Sequence, residues 1–185
     1  MPDESHEIKE SDTILREANI SLILDSYDDL FSDFDPRPYS ERALSDDFLF
    51  ECKKAAREKR NAPQVLELRF LIPTKKRVKA EENRIKKRLK DYFVNQAKEK
   101  QKEVVQSRRD GIKWLLIGIV FSLISTLLIN QEGLIYSIPL IITEPGGWFS
   151  LWTGLDKVFL ETKAKKPELE FHNRMAKMSV KFYSY

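Results

Sequence analysis

The chain has 185 residues, a third of them charged, yet its net charge is only +3. That length allows one small domain plus an appendage. Its single cysteine, Cys52, excludes an intramolecular disulfide, and with only His6 and His172 beside it a thiolate–imidazole zinc site is excluded too. The charge is segregated: residues 1–51 carry a net −11, residues 52–113 a net +13, and residues 114–185 a net +1.

Residues 1–18 read as an acidic arm without the apolar stretch of a signal peptide. Ile20–Asp25 is a short run rich in β-branched residues and reads as a strand. The segment that follows is the strangest of the polar part: five aspartates fall within 11 residues, Asp25 to Asp35. Loops at the carboxyl ends of strands are where open α/β sheets place their sites. Asp28, Asp29, Asp33, Asp35 and Arg37 are therefore the partner-binding candidates. The competing reading is structural, with Asx turns, helix caps and neutralisation by Arg37 or Arg42. Clustered carboxylates also suit Mg²⁺ or Ca²⁺, but no glycine stands where an EF-hand loop needs one, so no metal site is assigned.

A helix is expected from Ser40 or Ser45 to about Arg60, with Phe48, Cys52, Ala55 and Ala56 on one face. Asn61-Ala62-Pro63 ends it. Val65–Ile72 is the clearest strand, with Leu66, Leu68, Phe70 and Ile72 on one face and Glu67 and Arg69 on the other. From Val78 a helical stripe runs through Ile85, Leu89, Tyr92 and Phe93 and fades beyond Ala97. No glycine or proline interrupts the chain between Val78 and Gly111. We expect one continuous helix, Val78–Ile129, about 78 Å long. Between Lys75 and Arg109, 14 residues are basic and 5 acidic. Few aromatics interleave them, so nucleic acid is not an expected partner; the charge is read as solvating the helix and facing the acidic arm.

Ile112–Ile129 is an apolar run of 18 residues, about 27 Å as a helix and close to the hydrocarbon thickness of a bilayer. Asn130–Gly133 turns the chain without a lysine or arginine, and a second apolar run begins at Leu134. Arg108, Arg109 and Lys113 before the pair, and Lys157, Lys163, Lys165 and Lys166 after it, place both termini in the cytoplasm by the positive-inside rule. Trp114, Trp148 and Trp152 are expected as interface anchors. Gly118, Ser122 and Thr126 recur every four residues and are expected to pack a neighbouring helix. Glu144 is expected about 15 Å inside the bilayer, where a carboxylate is costly. It would be protonated, or bonded to Ser122 or Ser125; alternatively the second helix breaks at Pro145. Pro167 is expected to begin a last short helix reaching Lys177. Val180–Tyr185 reads as a terminal strand that returns to the sheet.

The fold class is thus α/β: a small cytoplasmic sheet of about three strands with helices, plus a two-helix transmembrane hairpin. The expected layout is an acidic arm (1–18), a cytoplasmic domain (19–97 with 167–185), a basic stalk (98–111), the hairpin (112–155) and a juxtamembrane helix and linker (156–166). The stretches SDFDPRPYSERALSDDF, LRFLIPTKKR and EPGGWFSLWTGLDKVF resemble signatures of small prokaryotic membrane proteins of no assigned activity; this implies a prokaryotic inner-membrane protein and supplies no catalytic residue. There is no Gly-rich phosphate loop, GxSxG or HExxH. The expectation is a membrane-anchored interaction or regulatory module without catalysis or cofactor, whose partners are the lipid bilayer and a second copy or another protein. Two alternatives are an oligomeric pore using Glu144 and a metal-dependent enzyme using the Asp25–Asp35 cluster.

Overall fold

The computed structural model describes residues 19–58 and 66–185. The acidic arm, the Asn61-Ala62-Pro63 helix stop and Val65 lie outside the described residues. The described residues divide into two compact units, those up to Ala97 together with 170–185, and residues 98–169.

The first unit is built on three strands, β1 (Asn19–Ile23), β2 (Glu67–Ile72) and β3 (Ser179–Ser184). They form an all-parallel sheet in the order β1-β2-β3. The register aligns Ser21 with Arg69 and Lys181, and Leu22 with Phe70 and Phe182. Alternation in β2 decides this arrangement. Leu66, Leu68, Phe70 and Ile72 are all fully buried, and each contributes about 1.5–3 kcal/mol on leaving water. A slip of one residue would turn all four to the opposite face.

Parallel strands need crossovers. Helix α1 (Asp46–Glu58) carries the first, burying Phe48, Cys52 and Ala56. It starts directly after Ser45, with Asp46 and Asp47 in its first turn, where carboxylates suit the helix dipole; Ser40 stands apart from it in a turn. The second crossover contains helix α2 (Lys79–Leu128), 50 residues without a break, as the absence of glycine and proline before Gly111 leads one to expect. Within the first unit its Ile85, Leu89 and Phe93 are fully buried and share one core with Phe70, Phe182 and Met175.

Helix α3 (Leu134–Leu155) follows and runs through both Pro139 and Pro145, so of the two alternatives at Pro145 the helix continues. Six residues of π-helix (Asp156–Glu161) lead into α4 (Thr162–Ala176), which contains Pro167. The expectation that Pro167 starts the last helix is therefore corrected. Each proline removes one N–H donor, but Pro139, Pro145 and Pro167 all lie on exposed faces, where the ring meets no neighbouring element. In α3 the Thr143 hydroxyl, at 2.9 Å, donates to the carbonyl of Pro139.

Candidate functional site

The Asp-rich loop at the carboxyl end of β1 is held together by its own carboxylates. Asp29 Oδ2 accepts from the backbone N–H groups of Asp25 (2.7 Å) and Ser26 (3.1 Å), which caps the short 3₁₀ turn Tyr27–Leu30. Asp28 Oδ1 accepts from Arg42 Nη1 (2.6 Å) and Tyr39 Oη (3.2 Å). Asp35 takes a two-pronged bond from Arg37 and a third, at 2.6 Å, from the backbone N–H of Ala43. The Arg37 bonds, then the Ala43 bond, hold its carboxyl well below the usual carboxylate range. Asp33 is exposed beside Phe34, which is 97% exposed. Asp28, Asp29 and Asp35 thus serve separate partners. Among the described residues, no three His, Cys, Asp or Glu side chains converge on a metal position.

Beside this loop lies a buried network that the sequence did not single out. Glu82, in the first turn of α2, is 5% exposed. It receives Arg77 Nε at 2.8 Å, Arg77 Nη2 at 3.0 Å and Tyr27 Oη at 3.3 Å. Tyr27 Oη in turn accepts from the Val78 N–H at 2.9 Å, and Arg77 Nη1 donates to Ser184 Oγ at 2.8 Å. The Arg77 bonds lower the Glu82 pKa against the effect of burial, while burial raises that of Tyr27. This network fastens the start of α2 to the ends of β1 and β3. The one sequence sign of it was a tyrosine just after β1 and a Glu in the first turn of α2.

The sheet itself offers a surface. Helices cover the face bearing Phe70 and Phe182, and the opposite face stays open among the described residues. All-parallel sheets are normally covered on both sides. The open face carries an apolar row aligned by register, Ile23–Leu71–Tyr183, with Ile23 73% and Tyr183 40% exposed. Behind it stand Arg69 and Lys181, both paired with Glu67. Burial opposes ionisation of Glu67, but the bonds from Lys181 and Arg69 prevail and lower its pKa. The Arg69 guanidinium also lies 5.6 Å from the centre of the Tyr183 ring, a cation–π contact.

In the second unit, small residues let backbones meet. A Cβ on Gly118 would stand 2.8 Å from Leu151 N, one on Gly147 2.9 Å from Ser122 Oγ, and one on Gly154 2.7 Å from Leu115 N. Gly118 and Ser122 therefore face α3, whereas Thr126 is exposed and donates to its own helix at Ser122 O. Ser122 Oγ donates to Gly118 O and Ser125 Oγ to Thr143 Oγ1 (2.8 Å), so neither serine holds Glu144. Thr143 takes the inward position, and Glu144, one residue on, is exposed. Trp114 meets Phe149 edge to face at 6.1 Å, and Trp148 stacks on Trp152 at 6.0 Å; the last two are more than half exposed.

The polar end of this unit has its own cluster. The buried Ser107 donates to Glu161 Oε1 at 3.0 Å, and Lys165 Nζ donates to both Ser107 Oγ (2.6 Å) and Glu161 Oε1 (2.7 Å). Lys165, then Ser107, brings the Glu161 pKa down to about 2. The π-helix ends at Glu161, and such segments are often found at functional sites.

Among the described residues, α2 is the one helix long and apolar enough to cross a membrane. Its apolar half turns Ile112, Leu116, Ile119, Val120, Leu123 and Leu127 outward. The sequence Glu144-Pro145-Gly146-Gly147 dilutes the apolar content of α3, so a second span and a transmembrane hairpin do not stand on the same footing. No family model, curated protein or solved structure matches this chain.

Proposed function

We propose that the protein is a membrane-anchored interaction module whose three-stranded domain presents a binding surface. The observation that carries this reading is the outward-facing apolar half of α2. Soluble proteins rarely expose apolar patches of more than a few hundred Å², and a bilayer is the natural cover for a helix of this length. In this reading α2 and α3 cross together as a hairpin, the uncharged Asn130–Gly133 turn lies outside, and both termini lie in the cytoplasm. The open face Ile23–Leu71–Tyr183 is the surface for a protein partner, with the Asp33–Phe34 tip at a second edge; no step of covalent chemistry is assigned.

The test is native mass spectrometry of the full chain extracted from its membrane with bound species retained, in wild type and in the Ile23→Asp/Tyr183→Asp variant. A stoichiometric companion, another copy or a different protein, that is lost in the variant supports the reading. Bare monomer in both refutes it.

A second reading is favoured by the exposed Glu144. On a membrane-spanning α3 its carboxylate would face hydrocarbon unless other protomers enclosed it around a polar path. Cation flux across liposomes that disappears in Glu144→Gln would support such an oligomeric pore; absence of flux at every protein density would end it.

A further inference from the structure

We infer that the polar end of the second unit is a binding collar for anionic phospholipid headgroups; this rests on the membrane reading of α2 and names the lipid chemistry that the anchor selects. Leu155, Phe159, Leu160 and Ile112 are exposed. Lys113 and Lys157 stand among them, Arg108 and Arg109 at their outer limit, and Lys163, Lys165 and Lys166 beyond. Ser107 sits 3.0 Å from Glu161, and a Cβ on Gly111 would touch Val158. Arg108 and Arg109 are thus at the same level as Phe159 and Leu160. Along the helix Lys163 lies about 4.5 Å, and Lys166 about 9 Å, beyond Leu160. Both distances are comparable to the ~8 Å Debye length, and lysine stems reach back toward an interface.

The cations at this level divide into two sets. Lys113 is spent on Asp110 at 3.1 Å, and Lys157 and Lys165 on Glu161 at 3.4 and 2.7 Å. Arg108, Arg109, Lys163 and Lys166 are exposed and form no ion pair with described residues. The clamp of Ser107, Glu161 and Lys165 fixes the two segments that carry them, so Arg108 and Arg109 stand level with Leu160 and the two free lysines follow within about 9 Å. Lys102, Gln106, Arg109 and Lys113 also line an open groove of about 510 Å³ along α2, with Val105 at its apolar side and Asp110 among its lining, held by Lys113. A phosphodiester on a glycerol backbone fits this chemistry: its charge meets Arg109, and its acyl chains pass the exposed Ile112 and Phe159. Each basic residue near an anionic surface strengthens the protein's attraction to that surface about fivefold, an attraction that a zwitterionic surface does not supply.

The experiment uses the full chain reconstituted in phosphatidylcholine vesicles containing a minor share of phosphatidylglycerol. Spin-labelled phosphatidylglycerol and spin-labelled phosphatidylcholine report how much of each lipid is immobilised by the protein. The expected result is a several-fold preference for phosphatidylglycerol that weakens with added salt. It is lost in R108Q/R109Q/K163Q/K166Q and retained in the charge-conserving R108K/R109K. Equal immobilisation of both lipids at low salt, or a preference that survives in the quadruple variant, overturns the collar while leaving the anchor standing. Release of the protein from the vesicles by alkaline carbonate overturns the membrane reading itself, and the collar with it. Unchanged tryptophan emission in each variant, from Trp114, Trp148 and Trp152 of the same unit, establishes that its fold is intact.

Discussion

Gly154→Ala puts the close approach in the second unit to a quantitative test. The added Cβ would lie 2.7 Å from Leu115 N and 2.8 Å from Gly111 O, both backbone atoms, and 2.6 Å from Leu115 Cγ. Ordinary contact begins at 3.4 Å, so the backbones must part by about 0.7 Å in an interior that packs without slack. Overpacking of this kind costs about 1–3 kcal/mol, and the upper half of that range applies because backbone cannot swing aside as a side chain can. Alanine returns about 1 kcal/mol through its helix propensity. The net loss is about 1–2 kcal/mol, a 5- to 30-fold shift in the folding equilibrium. Gly146→Ala is the matched control: its Cβ meets only the Phe121 ring, at 2.9 Å, and that ring can rotate away. It should be neutral or slightly stabilising. The assay is reversible unfolding of the micelle-embedded chain by SDS, followed by tryptophan emission, since Trp114, Trp148 and Trp152 all lie in this unit. Should Gly154→Ala prove as stable as Gly146→Ala, the backbones do not approach as described.

Three further outcomes are expected. Glu82→Gln should cost about 2 kcal/mol, because it removes one of two accepting oxygens and leaves Arg77 without its carboxylate charge. Glu82 has a lowered pKa in the fold, so its contribution is complete above the unfolded value near 4.5 and fades as the pH falls further; acid titration of wild type and variant should show their stabilities converging there, and parallel curves would refute the assignment. The same sign holds for Glu161: its link to Lys165 and Ser107 should persist from neutral pH and be lost between about 4.5 and about 2, with Glu161→Gln insensitive over that window by amide exchange near Ser107. Cys52 is fully buried and its thiol is pushed up to about 12 by desolvation, so it should react with a thiol reagent at neutral pH only at the rate of unfolding; fast labelling of native protein would contradict its place in the core.

The sheet was legible because a buried face imposes a period. Leu66 to Ile72 alternate so cleanly that strand, face and neighbours follow, and the unbroken α2 follows from where glycine and proline are absent. Other features arise only when distant residues meet. Ile23, Leu71 and Tyr183 are unremarkable apart and form a row only through the parallel register of three separated strands. The inward Thr143 and outward Glu144 depend on which side of α3 holds Gly147 and Gly154, a choice of about 100° that an apolar run does not encode. Proline is ambiguous for a related reason: Pro167 suggests a helix start and Pro145 either a kink or a stop, but on exposed faces each costs one donor and the helices continue. The aspartates drew attention by number, although most of them serve as local caps and pairs.

The position of β3 in the chain orders events during synthesis. β2 is the middle strand, yet its second neighbour is encoded beyond residues 98–169. The ribosome therefore delivers the whole apolar segment before the six residues that close the sheet. Until then β2 shows a bare edge, and Phe70 lacks the Phe182 ring that later lies 5.1 Å away. A nascent chain stalled anywhere in that segment is left with two strands and an open template for aggregation. The last strand works as a latch, set only in chains whose apolar segment has already been made.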